Sequence, residues 1–331
     1  MRTLLVGCGN HGGGTLLPAA LAAGIRLVGL VDRDIVRARA LADQWSIPRA
    51  FGSIDEISTA DVDTAIIALP VTEQAHHVAW ALSNGVHIFV EKPPAVDLTQ
   101  LRALVSQLDS SGVQCQIGLN FRFADGFQAL LSRLDSGRHG DVSYVRVVQI
   151  ANKPLVSFSS DLSIEASLFH AQGIHAIDLA VLLVPAATNI SGQLVRVSRG
   201  KLCVVVGENT DAGHRFEVSF GSCAAGLYHQ LDVFCDTGDL LSLRNLSELL
   251  YLPNGGEQNI HEYPGARVLW RRSPVSVGYK SAGYTAELAA FKDAVGGSTT
   301  RDRRLAGLAD LLPVYEAFDH LLCSRGLKWT T

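Results

Sequence analysis

Short apolar, β-rich runs alternate with amphipathic segments over the first third of the chain. The apolar runs span residues 3–6, 26–31, 64–69, 86–90 and 113–117. Apolar residues recur at helical spacing between them, in residues 16–23, 35–45, 73–84 and 98–109. This alternation is typical of a parallel sheet with helices on both faces. The pattern predicts an α/β domain with a doubly wound parallel sheet over residues 1–119.

From about residue 120 the pattern changes to consecutive strands. Helical segments are predicted at residues 127–134, 168–183, 287–295 and 305–322. Strand-like runs are predicted at residues 142–150, 194–198, 202–206, 216–220, 231–235 and 267–270. Because consecutive strands joined by short turns pair antiparallel, residues 120–331 are predicted to form an α+β domain with a largely antiparallel, open sheet.

Composition narrows the classes of partner. The 331 residues carry 28 basic and 32 acidic side chains, a balance of −4. This charge is too even for an electrostatic nucleic-acid or membrane-surface footprint, so we expect small molecules or sister subunits as partners. No uninterrupted apolar run approaches the length of a membrane span, and we expect a cytoplasmic protein. The six cysteines show no metal-ligand spacing, and no metal site is predicted.

A glycine-rich sequence follows the first predicted strand directly. Gly7-Cys8-Gly9-Asn10-His11-Gly12 is a G-x-G-x-x-G that opens a helix, as a dinucleotide pyrophosphate requires of a backbone it approaches closely. Asp32 ends the second strand, twenty residues after Gly12, at the spacing of a carboxylate that binds ribose hydroxyls. A plain glycine turn with a helix-capping aspartate is the alternative. The combination favours a dinucleotide site.

Two adjacent residues bear on which dinucleotide binds. Asp32 favours NAD, because its carboxylate accepts from ribose hydroxyls and repels a 2′-phosphate. Arg33 could offer that phosphate a fork of donors, so NADP stays open. The expected cofactor is NAD, with NADP as the second possibility.

Glu91-Lys92-Pro93-Pro94 stands at the carboxyl end of a predicted strand, where open α/β sheets bind their ligands. Pro93 disfavours a helical conformation at Lys92, which leaves the ammonium able to point across the crevice. By spacing alone, an ordinary loop lysine is the alternative.

Together with the glycine motif and Asp32, Glu91-Lys92-Pro93 and Asn120-Phe121-Arg122-Phe123 resemble the Gfo/Idh/MocA family of NAD(P)-dependent oxidoreductases. The resemblance also takes in residues 136–142 and Gly173-Ile174-His175-Ala176-Ile177-Asp178, which is similar to the family's G-x-H-x-x-D helix. It implies an N-terminal Rossmann domain, a C-terminal domain whose open sheet forms subunit contacts in a homodimer or homotetramer, and oxidation of sugars or cyclitols or the reverse reduction.

Site residues follow from this resemblance. Lys92 matches the family's catalytic lysine and His175 its active-site histidine, while Asn120 falls where the family approaches nicotinamide and substrate. Leu69-Pro70 resembles a loop that lies along the cofactor, although the histidine usual four residues beyond the proline is Gln74 here. The expected cofactor-binding residues are Gly7, Gly9, Asn10, His11, Gly12, Asp32, Arg33, Leu69, Pro70, Glu91, Lys92 and Asn120.

The chain departs from the family's pattern before His175. Ala171 stands where the family usually has an aspartate, and Glu165-Ala166-Ser167 replaces a glycine-rich run. His170 is adjacent to the missing acid and is a candidate third catalytic residue, with a packed or exposed histidine as an equally weighted alternative.

The leading hypothesis is hydride transfer between nicotinamide and a carbon bearing a hydroxyl, or in reverse a carbonyl or imine, in a crevice between the domains. His175 would act as general acid and base, and Lys92 would bind the reacting oxygen or nitrogen. Two alternatives remain open because of Ala171. One is a redox-neutral glycosidase-type enzyme that retains its cofactor, and the other is a sensor that binds a dinucleotide without turnover.

Overall fold

Two compact units make up the chain in the computed structural model, which describes residues 1–187, 190–197, 200–209, 211–255, 265–276, 278–297 and 302–331. The first unit comprises Met1–Phe123 and Val277–Leu312, and the second comprises Ala124–Ser276 and Pro313–Thr331. The sequence predicted two domains, each continuous in the chain and divided after residue 119. The units are discontinuous, because Val277–Leu312 returns to the first one.

A six-stranded parallel sheet forms the centre of the first unit. Its strands are β1 (Arg2–Val6), β2 (Arg26–Val31), β3 (Ala50–Phe51), β4 (Thr64–Ile67), β5 (His87–Glu91) and β6 (Cys115–Gly118). The strand order is β3-β2-β1-β4-β5-β6, and every pairing is parallel. The chain therefore winds outward in both directions from β1, and the switch point between β1 and β4 is where such sheets bind ligands. This confirms the doubly wound fold.

Helices cover the faces of this sheet. They are α1 (Leu17–Ala22), α2 (Ile35–Trp45), α3 (Val71–Ser83), α4 (Leu98–Asp109) and, late in the chain, α8 (Gly278–Ser281) and α9 (Tyr284–Val295). A single π-type turn, Gly12–Leu16, precedes α1, which starts with Pro18 in its first turn, where a missing backbone N–H costs nothing. One core beneath α1 and α2 also includes Phe89 of β5 and Phe291 of α9.

An eight-stranded sheet dominates the second unit. Its strands are β7 (Val142–Ile150), β8 (Ser191–Arg196), β9 (Lys201–Asn209), β10 (His214–Gly221), β11 (Tyr228–Cys235), β12 (Leu240–Arg244), β13 (Glu248–Leu252) and β14 (Arg267–Arg271). The order is β14-β13-β12-β11-β7-β10-β9-β8, antiparallel except for the parallel pair β7 and β10. The predicted largely antiparallel sheet is confirmed. Ser198, the end of one predicted strand, lies outside the described residues.

The helices of the second unit are α5 (Asp125–Asp135), α6 (Ile164–Leu168), α7 (Ile174–Leu183) and α10 (Leu312–Ser324). A π-type turn, Phe169–Gly173, joins α6 to α7 into one helical stretch. This stretch is long and apolar enough to cross a membrane, but 78% of its most apolar part is buried within the structure. Since α7 packs on β7 and β10, it is the core helix of this unit. The last predicted helix begins later than expected, at Leu312.

Helix α9 of the first unit carries a buried carboxyl group. Glu287 is fully buried, and its Oε1 accepts a hydrogen bond of 2.6 Å from the backbone N–H of Leu119. Its Oε2 has no hydrogen-bond partner among the described residues. Burial raises the pKa of Glu287 well above its usual value, and the nearby Glu91 carboxylate raises it further. The folded protein therefore favours the protonated form of Glu287.

This carboxyl group predicts a pH-dependent stability. Because its folded pKa is raised, the unfolded chain ionises first, so the free energy of unfolding should fall as pH rises above about 4.3, the unfolded value. Glu287→Gln keeps an acceptor for Leu119 but cannot ionise, and should flatten that fall in thermal melts measured from pH 5 to 8. Glu287→Leu removes the acceptor and should cost about 1–3 kcal/mol at every pH. Parallel pH dependences of Tm in the wild type and Glu287→Gln would contradict this ionisation.

Candidate functional site

The glycine-rich turn after β1 requires glycine for steric reasons. Gly7 has φ +97°, and a Cβ there would lie 2.2 Å from the carbonyl oxygen of Ala68. A Cβ on Gly12 would lie 1.9 Å from the carbonyl oxygen of Gly7. Around the Cβ position of Gly9, by contrast, no described atom lies within 4 Å. The turn is thus tightly packed on the sheet side and open at Gly9, as a backbone that receives a pyrophosphate must be.

Asp32 links the end of β2 to this turn. Its carboxylate is 8% exposed, with Oδ2 accepting a hydrogen bond of 2.9 Å from the backbone N–H of Cys8. Oδ1 accepts one of 2.9 Å from the backbone N–H of Asp34. These backbone donors hold the carboxylate in one orientation, with lone pairs left for ribose hydroxyls.

Arg37, which the sequence reasoning missed, contacts Asp32. Its Nη1 lies 3.4 Å from Asp32 Oδ2 and its Nη2 lies 3.1 Å from Asp34 Oδ2. Arg33, the arginine expected to affect the choice of dinucleotide, is exposed. The sequence did contain a signal for this contact. Arg37 lies three residues after Asp34, which caps the start of α2, and side chains at this spacing on a helix are neighbours.

His11 brings the glycine-rich turn together with the Glu-Lys-Pro segment. Its Nε2 lies 3.0 Å from Oε1 of Glu91, which is buried at the end of β5. The His11 ring also meets the edge of Tyr284 at a centroid distance of 5.4 Å. Tyr284 begins α9, far along the sequence, so nothing in the local pattern indicated it. Two predicted cofactor-binding residues, His11 and Glu91, are therefore in contact.

Lys92 follows Glu91 directly and is partly buried. Burial lowers the pKa of its ammonium, and the neighbouring Glu91 carboxylate opposes that shift. A lowered pKa makes the ammonium a stronger hydrogen-bond donor, which suits a group that would hold a reacting oxygen.

Asn120 and Leu69 follow the ends of β6 and β4, the two strands that flank β5. Asn120, two residues beyond β6, is buried, and its Nδ2 donates a hydrogen bond of 2.7 Å to the carbonyl of Ala282. Leu69 follows β4 and lies beside the turn, since a Cβ on Gly7 would be 3.1 Å from its Cδ2. Pro70 is exposed and immediately precedes α3. Asn10 is also exposed, within the glycine-rich turn.

His175 and His170 belong to the second unit. His175 lies on α7 and is 5% exposed. His170 is buried in an aromatic cluster, stacked on Trp329 at a centroid distance of 5.8 Å and adjacent to the Phe169 ring. These contacts indicate a packing role for His170. A catalytic role for it stays a prediction, as does that of His175.

The acidic residue of the segment that departs from the family pattern is paired with a lysine from the sheet. Glu165 lies on α6, nearly buried, and forms an ion pair with Lys201 at the start of β9. Ala171 falls inside the π-type turn that joins α6 to α7. The added acidic group is thus compensated by a cation from the sheet.

Comparison with known proteins agrees with this geometry. Residues 1–119 match the model of the oxidoreductase family with an NAD-binding Rossmann fold. Inositol 2-dehydrogenase of Rhizobium meliloti (strain 1021) is 27% identical over 186 residues, 56% of this chain and 55% of that protein. The aligned part thus spans about half the length of the curated relatives that it matches.

Solved structures are similar over nearly the whole chain. A dehydrogenase from Chromobacterium violaceum has a TM-score of 0.88 at 24% identity, covering 98% of this chain and 95% of that one. Levoglucosan dehydrogenase, in complex with NADH and levoglucosan, has a TM-score of 0.82 at 16% identity, covering 98% and 97%. At these identities the likeness shows the fold of both units.

The family match covers the same segment as the glycine-rich turn, Asp32 and the Glu-Lys-Pro sequence. The turn has the steric form that a dinucleotide needs, and the family's cofactor is NAD. Residues 1–119 therefore match the NAD-binding domain of the Gfo/Idh/MocA family of oxidoreductases.

Proposed function

We propose that the protein is an NAD-dependent dehydrogenase or reductase that interconverts a hydroxyl-bearing carbon and the corresponding carbonyl. The observation that carries this proposal is the contact of His11 with Glu91, which joins the dinucleotide turn to the segment bearing Lys92. Lys92, next to Glu91 in the chain, would act on the atoms that exchange hydride with the nicotinamide.

The first unit supplies the groups that would hold NAD. The open backbone at Gly9 would receive the pyrophosphate, and Asp32 would accept from the ribose hydroxyls. Leu69, packed beside Gly7, would lie along the dinucleotide. When bound, NAD supplies the acceptor or donor of the hydride.

The remaining chemistry is proton transfer by the protein. In the direction of oxidation, the imidazole of His175 would take the hydroxyl proton, and in reduction it would return that proton to the carbonyl oxygen. The Nζ of Lys92 would hold the same oxygen by a hydrogen bond. Partial burial of Lys92 strengthens that bond because little water competes for the ammonium.

For the substrate we propose a small polyol or sugar. The names of similar proteins support this class, since one is an inositol 2-dehydrogenase and another a levoglucosan dehydrogenase. We also propose a cytoplasmic homodimer or homotetramer. Exposed apolar side chains on the outer strands of the eight-stranded sheet, including Val195 and Val268, support self-association. Light scattering tests it, and a monomer at micromolar concentration would exclude it.

The arrangement around Asp32 predicts a preference for NAD over NADP. At a hundredfold excess over its Kd, NAD should stabilise the protein by about 2.7 kcal/mol, and NADP by less. Asp32→Ala should weaken NAD binding by about tenfold, since a charge-assisted hydrogen bond is lost, and should narrow the gap to NADP. Isothermal titration with both dinucleotides measures the two Kd values.

Arg37 and Arg33 form a matched pair of controls. Arg37→Ala leaves the charge of Asp32 less neutralised and should weaken NADP binding, whereas Arg33→Ala removes donors expected to hold a 2′-phosphate and should weaken NADP binding without changing the Kd of NAD. Tighter binding of NADP than of NAD by the wild type, or an unchanged ratio in Asp32→Ala, would refute the role given to Asp32.

The proposed proton chemistry predicts large losses of turnover. Lys92→Met and His175→Asn should each lower kcat by about a hundredfold or more, the usual range for a lost general acid or base. Absorbance at 340 nm with NAD and inositol or levoglucosan measures this. His170→Gln should lose stability but retain turnover if its role is packing, and should lose turnover if it replaces the missing acid.

The same assay separates the alternatives. Stoichiometric formation of NADH excludes the redox-neutral enzyme, and turnover that is sensitive to Lys92→Met excludes the sensor. Full turnover in both Lys92→Met and His175→Asn would make the assignment of these two residues wrong.

A further inference from the structure

Gln74 makes two hydrogen bonds to the backbone on either side of Lys92. It lies in the first turn of α3 and is 1% exposed. Its Nε2 donates to the carbonyl oxygen of Glu91 at 2.8 Å and to that of Pro93 at 2.5 Å. Since both partners are acceptors, the amide nitrogen must face them, which fixes the orientation of the side chain.

The carbonyl of Glu91 belongs to the last residue of β5, which still pairs with Gly118 of β6, and the carbonyl of Pro93 lies beyond the strand. The pairing of β5 with β4 ends at Val90 opposite Ile67, so the ladder on that side stops before Glu91. A buried carbonyl without a donor is costly, and a segment of this kind needs a donor from outside the sheet. Gln74 supplies that donor for both carbonyls from one nitrogen.

We infer that Gln74 is a positioning residue, which fixes the backbone of Lys92 and thereby the direction of its ammonium. Lys92 is the one residue between the two anchored carbonyls, so the start of its side chain is held from both sides. Displacement of a catalytic group by a fraction of an ångström is costly in rate. This inference rests on the proposed function only in that Lys92 acts on the substrate.

The residue type is significant at this position. The family to which this chain is similar usually has a histidine here, and a neutral imidazole carries a single N–H. The glutamine amide has two N–H groups, and here both are used. Glutamine at residue 74 therefore holds both ends of the Lys92 segment, whereas a histidine would hold one.

The test uses the full chain and two readouts. Gln74→Met is similar in size but donates no hydrogen bond, and it should lower kcat by about tenfold with little change in the Kd of NAD, because Lys92 is misplaced while the glycine-rich turn is intact. The second readout needs no substrate. Reductive methylation followed by mass spectrometry measures the reactivity of each of the six lysines, and Lys92 should change by about threefold or more relative to the exposed Lys328.

Gln107→Met is the matched control. The Nε2 of Gln107 also donates two hydrogen bonds, to the carbonyl of Ala79 at 3.2 Å and to Ser83 Oγ at 3.0 Å, at the opposite end of α3. Its loss should change stability to a similar degree but leave kcat and the methylation of Lys92 unchanged. Equal effects of the two variants on Lys92 would overturn the inference, because they would reflect a general loosening of α3.

A third variant covers the case in which Gln74→Met does not fold. Gln74→His retains one donor and should give intermediate kcat and intermediate labelling of Lys92. Wild-type labelling and kcat in Gln74→His would overturn the inference that both hydrogen bonds position Lys92. Failure of the proposed function is distinguishable: Lys92→Met would then turn over like the wild type, whatever Gln74→Met does to the labelling.

Discussion

The close approach of three backbone segments at the end of β1 is the constraint on which the first unit depends. Gly7 is pressed against Ala68, and Gly12 is pressed against Gly7, at distances that exclude any side chain. This packing brings the start of the first helical turn down onto the sheet. The consequence is that His11 reaches Glu91 and the N–H of Cys8 reaches Asp32. The packing of these glycines thus positions both His11 beside Glu91 and Cys8 beside Asp32, at two sides of the proposed dinucleotide site.

Three buried carboxyl groups lie among the described residues of the first unit, and each is accommodated in a different way. Asp32 accepts from backbone N–H groups and lies beside Arg37. Glu91 lies beside His11, and the raised pKa of Glu287 favours a neutral carboxyl group. Repulsion by the Glu91 carboxylate is one of the causes that raise the pKa of Glu287, after burial. Glu91, next to Lys92 in the chain, opposes the lowering of the Lys92 pKa by burial.

The sequence predicted most of the first unit but not how it is completed. The bounds of α2 and α4 were predicted to the residue from the helical spacing of their apolar residues, and in the structure Asp34 and Asp97 cap their starts. Strands β12 and β13 were missed, since the turn between them places Asn245 and Leu246 at positive φ without the glycine that usually marks such a hairpin. The contacts of Glu287 and Tyr284 join distant parts of the chain, and local patterns carry no information about them. Gln74 was recognised only as a departure from a family pattern, and its two bonds to the Lys92 segment are visible only in the folded backbone.

The return of α9 to the first unit has a consequence for the order of folding during synthesis. All six strands of the parallel sheet have been made once residue 118 leaves the ribosome, but Phe89 lacks the cover of Phe291 until residues 124–276 have also been translated. Domains generally fold as units in the order of their synthesis, and exposed apolar surface promotes aggregation in the interval. In this chain one apolar surface of the nascent sheet stays uncovered until helix α9 is made, and α9 follows most of the second unit in the sequence. Helix α9 is therefore the last part of the first unit to be added, and Phe89 of β5 lies on the surface that stays uncovered until then.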